Sequence, residues 1–133
     1  MKIEEVEGIG PVHGAKLTSA GLPSTEALLA RGATPKGREE LAAETGISHK
    51  LILEWVNHCD LMRLKGVGSE YADLLEAAGV DSPPELAQRN AANLTAAMVT
   101  YNESHSIVRR LPSESEVSAW IAEAKTLPKI VQH

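Results

Sequence analysis

Apolar residues at 52, 55, 56, 59 and 62 recur at intervals of three and four, the spacing that gathers side chains on one face of an α-helix. Ser48 stands just before this run, where a hydroxyl can accept a hydrogen bond from the helix's first turn. Similar punctuation lies upstream. Pro11 suits the first turn of a helix, and Gly21 suits the left-handed residue just past its end. Ser24 or Thr25 opens a short segment that stops at Gly32, and Thr34-Pro35 opens another that runs to Gly46. Further along, Ser82 with Glu85 and Ser113 with Glu116 have the spacing of capping boxes. No stretch alternates apolar and polar residues over the length of a strand. The chain reads as all-α.

The pattern is written twice. A shift of 58 pairs Gly8 with Gly66, Gly10 with Gly68, Leu17 with Leu75, Gly21 with Gly79, Ser24 with Ser82 and Leu28 with Leu86. A shift of 65 then pairs Ile52, Trp55, Val56, Cys59 and Met62 with Val117, Trp120, Ile121, Ala124 and Leu127. The chain has only two tryptophans, and this register pairs them. Self-similarity of this kind is the mark of a tandem duplication. It predicts two helical units, about 1–64 and 65–133, packed into one body through their Trp-bearing helices, since units this short rarely bury enough surface alone.

Composition narrows the reading. Of the 133 residues 43% are hydrophobic and none is Phe, so the core must be built from Leu, Ile, Val and Ala. A net charge of −5 counts against a strong generic polyanion binder, because phosphate affinity comes mainly from accumulated Lys and Arg. The lone Cys59 forbids an intramolecular disulfide and fits a reducing compartment. The opening "MKIEEVEG" has no apolar core of a leader, and no stretch is long enough to span a bilayer. A soluble cytoplasmic protein with no membrane association is expected.

The chemistry sits at the glycine corners, "EGIGPVHGAKL" at 7–17 and "KGVGSEYADLL" at 65–75. The first glycine can take a positive φ that a Cβ makes costly. The aliphatic residue between the glycines plugs the gap between two helices. The second glycine allows a close approach to a helix N-terminus, where unpaired N–H groups and the positive end of the dipole favour a phosphate oxygen. "EGIGPVHGAKL" resembles the helix-hairpin-helix motif, and "ETGISHKLILEWV" resembles a looser second hairpin with Gly46-Ile47-Ser48 as its corner. The whole chain is similar to an uncharacterised, domain-of-unknown-function family of tandem helix-hairpin-helix proteins. The motif's usual role implies binding to the DNA backbone without reading bases.

Carried over residue by residue, the resemblance favours the first unit. Gly8, Ile9, Gly10 and Pro11 match the motif, with Val12 in place of its Lys and Gly14 in place of its Ala. In the third corner Gly66, Val67, Gly68, Ser69 and Ala72 match, but Glu70 stands where Lys is usual and Asp73 and Glu76 extend an acidic stripe. The second corner places Lys50 at the motif's lysine position, beside Ser48 and His49. The fourth, Leu111-Pro112-Ser113, has lost its glycines. "RGATPKGR" adds Arg31, Lys36 and Arg38 around a helix start. Nucleic-acid contacts are therefore expected from Gly8, Gly10, Lys16, Lys36, Arg38, Ser48 and Lys50.

Other chemistry finds little support. None of the five histidines pairs with Cys59 or another His at a zinc-ligand spacing. Cys59 lies on the apolar stripe beside Val56, where a small buried hydrophobe is the expected role. The G-h-G corners lack the preceding strand of a dinucleotide fingerprint and the lysine of a P-loop. Trp55 and Trp120, at matching places on apolar faces, are expected to be core anchors rather than base-stacking platforms. No enzyme activity, metal or cofactor is expected. Two functions stay open: weak, sequence-independent DNA binding through the first unit, or a scaffold that binds a protein partner. Neither the partner nor the oligomeric state is legible.

Overall fold

In the computed structural model, which describes residues 1–133, every helix but two starts at a residue whose side chain caps it. The chain forms α1 (Gly10–Ser19), α2 (Thr25–Arg31), α3 (Pro35–Thr45), α4 (His49–Leu61), α5 (Ser69–Ala77), α6 (Pro83–Leu86), α7 (Ala91–His105) and α8 (Glu114–Ala124), after a short 3-10 turn at Ile3–Glu5. It has no strand beyond one isolated bridge, Lys2 to Ser24, so the fold is all-α. No helix is long and apolar enough to cross a membrane.

The caps follow the hydroxyls and amides in the sequence. Ser24 accepts from the Ala27 N–H at 3.2 Å, Thr34 from Gly37 at 3.0 Å, Ser48 from Leu51 at 3.2 Å and Asn90 from Asn93 at 3.0 Å. At α8 the box is complete: Ser113 Oγ accepts from the Glu116 N–H, and the Glu116 carboxylate accepts from the Ser113 N–H, both at 3.1 Å. At α6 it is half formed. Ser82 accepts from the Glu85 N–H at 3.3 Å, but the Glu85 carboxyl turns to Asp81 instead of reaching back. Burial and that neighbouring carboxyl push Glu85 above the usual carboxylate range.

Helix ends are equally explicit. After α1 the Gly21 N–H donates to Thr18 O at 3.0 Å and the Leu22 N–H to Leu17 O at 2.9 Å, with Gly21 at φ +89°. After α5 the Gly79 N–H donates to Glu76 O at 3.0 Å and the Val80 N–H to Leu75 O at 2.9 Å, with Gly79 at φ +99°. Both ends are Schellman turns, in which the last carbonyls find partners and the following aliphatic residue folds back onto the helix.

The chain divides into two compact units, Met1–Asp60 together with Ile130–His133, and Leu61–Lys129. The four C-terminal residues thus belong with the first unit. Its core gathers Ile3, Leu17, Leu28, Leu41, Ile52, Trp55, Val56 and Cys59, and Val131 joins them at 1% exposure. The Cys59 thiol, buried there and near Glu26 and Asp60, is pushed up to about 12, which keeps it protonated and inert. The second core gathers Leu61, Leu64, Leu74, Leu75, Leu86, Leu94, Val117 and Trp120. Here the apolar stripe of α4 departs from its sequence reading. The helix stops at Leu61, which is fully buried, so Met62 lies past the last turn and only half-buried against the second core.

Each tryptophan is buried against the first glycine of its own unit. Gly8 has φ +88°, and a Cβ there would lie 3.7 Å from Trp55 Nε1; Gly66 has φ +86°, and a Cβ would lie 3.5 Å from Trp120 Nε1. His13 tilts against Trp55 with ring centroids 5.1 Å apart, and Tyr71 against Trp120 at 5.3 Å. The two tryptophans are core anchors, 2% and 4% exposed.

Candidate nucleic-acid interface

At the first corner, Gly8-Ile9-Gly10, Ile9 is buried and plugs the gap below the turn. Gly10 begins α1 with φ +66°, and no atom of the chain lies within 4 Å of where its Cβ would be. The glycine is there for its backbone conformation, and it leaves open space at the helix start. α1 has no side-chain cap and no acidic residue in its first turn. No acidic side chain of that turn therefore offsets the positive end of the helix dipole. Val12, where the resembling motif has Lys, projects from this turn at 69% exposure. Gly14 replaces the motif's Ala for a local reason: a Cβ there would come within 2.9 Å of the Glu4 Cβ, where the N-terminal turn crosses α1.

The second corner ends α3 and starts α4. Gly46 takes φ +73° and donates its N–H to Ala42 O at 2.9 Å, Ile47 is buried, and Ser48 caps α4. His49 and Lys50 are exposed in the first turn of α4, which contains no acid. Trp55, seven residues beyond Ser48 on α4, reaches the first corner, where its ring tilts against His13 and its Nε1 lies beside Gly8.

The cations do not gather as their closeness in sequence suggests. Lys36 is exposed at the start of α3 and Lys50 lies past its end, so the helix holds them roughly 16 Å apart. Lys16 is exposed in the last turn of α1, at the negative end of its dipole and away from Gly10. Arg31 bonds Glu44 at 2.8 Å. Arg38 is not on the surface. It is 1% exposed, and its guanidinium donates to Gly32 O at 2.8 Å and Gln132 O at 2.7 Å, so its expected role as a phosphate ligand does not fit its position. The structure brings Gly8 with Gly10 to one corner and Ser48 with Lys50 to the other. Lys16 and Lys36 stand apart from both.

In the second unit both corners carry acidic side chains. Glu70 occupies the first turn of α5, and Glu123 accepts the Lys65 N–H at 3.0 Å just before the third corner. Gly68 has φ −91° and ψ −169°, extended backbone that any residue adopts. At α8, Glu116 fills the helix start and holds Arg110 through two bonds at 2.9 and 2.7 Å. Those bonds, with the Ser113 N–H, bring its carboxyl down to about 2. The Arg110–Glu116 clasp escaped the sequence reading, although their spacing beside a capping box was the available signal. A groove of about 480 Å³ runs past Ala91, Ser115, Ser118, Ala119 and Ala122, with Glu114 its one ionisable side chain. No group of three or more His, Cys, Asp or Glu is placed to hold a metal ion.

No curated protein and no solved structure matches the chain. Residues 7–127, from the first glycine corner to the end of the segment after α8, match one family, and the chain belongs to that family, described as a domain of unknown function, DUF4332.

Proposed function

We propose that the chain is a tandem pair of helix-hairpin-helix units that acts without catalysis, in the cytoplasm, as a weak, sequence-independent binder of the DNA backbone through its first unit. One observation carries this reading: α1 and α4 both begin without an acidic residue in the first turn, whereas α5 begins with Glu70 and α8 with Glu114 and Glu116. Anions are favoured at the first pair of helix starts and opposed at the second. The glycine corners bring backbone N–H groups to the ligand, and such contacts are blind to sequence. Gly8, Gly10, Ser48 and Lys50 form the contact surface, Lys16 and Lys36 add distant charge, and Arg38 takes no part. The matched glycines, tryptophans and Schellman turns support the duplication.

Binding is measured by fluorescence anisotropy of labelled duplex and single-stranded DNA at low salt, then across a salt titration. Few phosphates are neutralised, so the log–log slope should be shallow in total, each contributing roughly −0.9 on duplex DNA. Changing Lys36 and Lys50 together to Ala should abolish binding, and Glu70→Lys should strengthen it. No binding by the parent protein, or binding indifferent to the double change, replaces this reading with a scaffold that binds a protein partner. Val12 favours that second reading, since an aliphatic side chain 69% exposed at the tip of a corner suits a protein surface better than a phosphate.

A further inference from the structure

Residues Ile130–His133, in neither helix nor strand, pack with the first unit. The Val131 side chain enters the core at 1% exposure. The next residue is held by its backbone at both ends: the Gln132 N–H donates to Ala33 O at 2.7 Å, and Gln132 O accepts from Arg38 Nη2 at 2.7 Å. None of these contacts reads the Gln132 side chain, which is exposed. The slot thus recognises an aliphatic residue followed by any residue with a free N–H and an acceptor.

Arg38 shows which acceptor suits it best. A guanidinium is a rigid planar fork, and its Nε–H and Nη2–H point the same way. Here Nη2 bonds a single carbonyl oxygen, while the neighbouring Nε is buried with no hydrogen-bond partner. The other amino group, Nη1, is taken by Gly32 O. Both acceptors are neutral carbonyls, and burial alone moves the guanidinium below its ordinary range. A buried cation without an anion is costly, and the geometry that relieves it is a carboxylate bonded at two points. A peptide carbonyl offers one acceptor at this position, whereas a terminal carboxylate offers two and a negative charge.

We propose that this slot takes the C-terminal end of a partner polypeptide, an aliphatic residue followed by a last residue bearing a free carboxylate, in exchange for the chain's own Ile130–His133. The chain's segment is a neutral stand-in that half fills the fork. One buried side chain and two backbone hydrogen bonds hold this segment, and its local opening lets a competitor enter. The site is independent of the helix starts assigned to DNA.

The test uses the full chain with Val131→Ser, which loosens the resident segment, and fluorescently labelled Leu-Pro-Lys-Ile-Val-Gln made with a free carboxylate or with a carboxamide. The acid should bind about tenfold more tightly, the margin of a charge-assisted pair over a neutral one. Arg38→Lys, which keeps a charge but loses the fork, should shrink that preference. Equal affinity for the two peptides, or binding by neither, overturns the proposal. If the Val131 variant fails to fold, a chain ended at Gln132 gives the same answer internally, since the carboxylate then sits on the fork. It should melt above the 133-residue protein, and an equal or lower melting temperature overturns the proposal as well.

Discussion

The first and third glycine corners share the conformation of their first glycine and differ at the second. Gly8 and Gly66 have φ +88° and +86°, and each faces the Nε1 of its own tryptophan. The ring five residues on, His13 or Tyr71, tilts against that tryptophan by 52° or 51°. Yet Gly10 stands at φ +66° before a helix start without acid, while Gly68 stands in extended backbone before Glu70. The second and fourth corners differ the same way. Ser48 caps α4 alone, whereas Ser113 works with a carboxylate that neutralises α8 from within the chain. The buried contacts around each tryptophan are alike, and the helix starts at the surface differ.

The largest effect should come from what the units share. Trp55→Ala and Trp120→Ala should each cost about 3–5 kcal/mol in a denaturant melt, because a buried indole leaves a large cavity. A variant that melts like the parent would remove its tryptophan from the core and dissolve the likeness between the units.

The second glycines should separate them. Gly10→Ala places a Cβ in the left-handed region and should cost roughly 1–2 kcal/mol. Gly68→Ala places one in ordinary extended backbone with no atom within 4 Å of it. It should be neutral or gain up to about 1 kcal/mol by restricting the unfolded chain. Equal losses in urea melts would mean that the third corner shares a constraint the φ values do not express.

Smaller again is the contrast of caps. Ser113→Ala breaks a reciprocal pair and should cost about 1–2 kcal/mol, whereas Ser48→Ala removes one bond at an exposed position and should cost about 0.5–1 kcal/mol. Reversal of that order in thermal melts would place the stronger cap in the first unit.

The smallest effect is acid sensitivity at α8. Glu116 lies below its ordinary value of 4.5, at about 2, chiefly through the hydrogen bonds from Arg110 and then the Ser113 N–H. A carboxyl depressed in the folded state stabilises above its unfolded pKa and loses that contribution as the pH falls toward the folded one. The melting temperature of the parent should therefore exceed that of Glu116→Gln near neutrality, with the gap closing between pH 4.5 and about 2. A gap independent of pH would assign the cap's benefit to shape rather than charge.

The local features were legible because neighbouring residues produce them. Ser24, Thr34, Ser48 and Ser113 cap helices through hydrogen bonds that span three residues, and Gly21 and Gly79 end helices within one turn. The apolar stripe that buries Ile52, Trp55, Val56 and Cys59 follows from helical periodicity alone. Glu85 shows the limit even at short range, since its carboxyl had two partners in reach and took Asp81.

The cations of the candidate site were only partly legible. Lys36, Arg38 and Lys50 look like one basic cluster in the sequence, but α3 stands between the two lysines and the arginine points inward. Burial of a charged side chain depends on partners that periodicity does not reveal. Arg38 finds its second acceptor at Gln132, 94 residues away, and Gly14 is required because Glu4 crosses its helix. The sequence by itself determined the all-α class, the caps at Ser24, Thr34, Ser48 and Ser113 and the glycine corners, since those follow from hydrogen bonds and dihedral preferences within a few residues. In contrast, α7 and its Asn90 cap were not read from it. Only the tertiary structure decided that the last four residues close the first unit around a buried arginine, because that contact joins chain segments that no local rule connects.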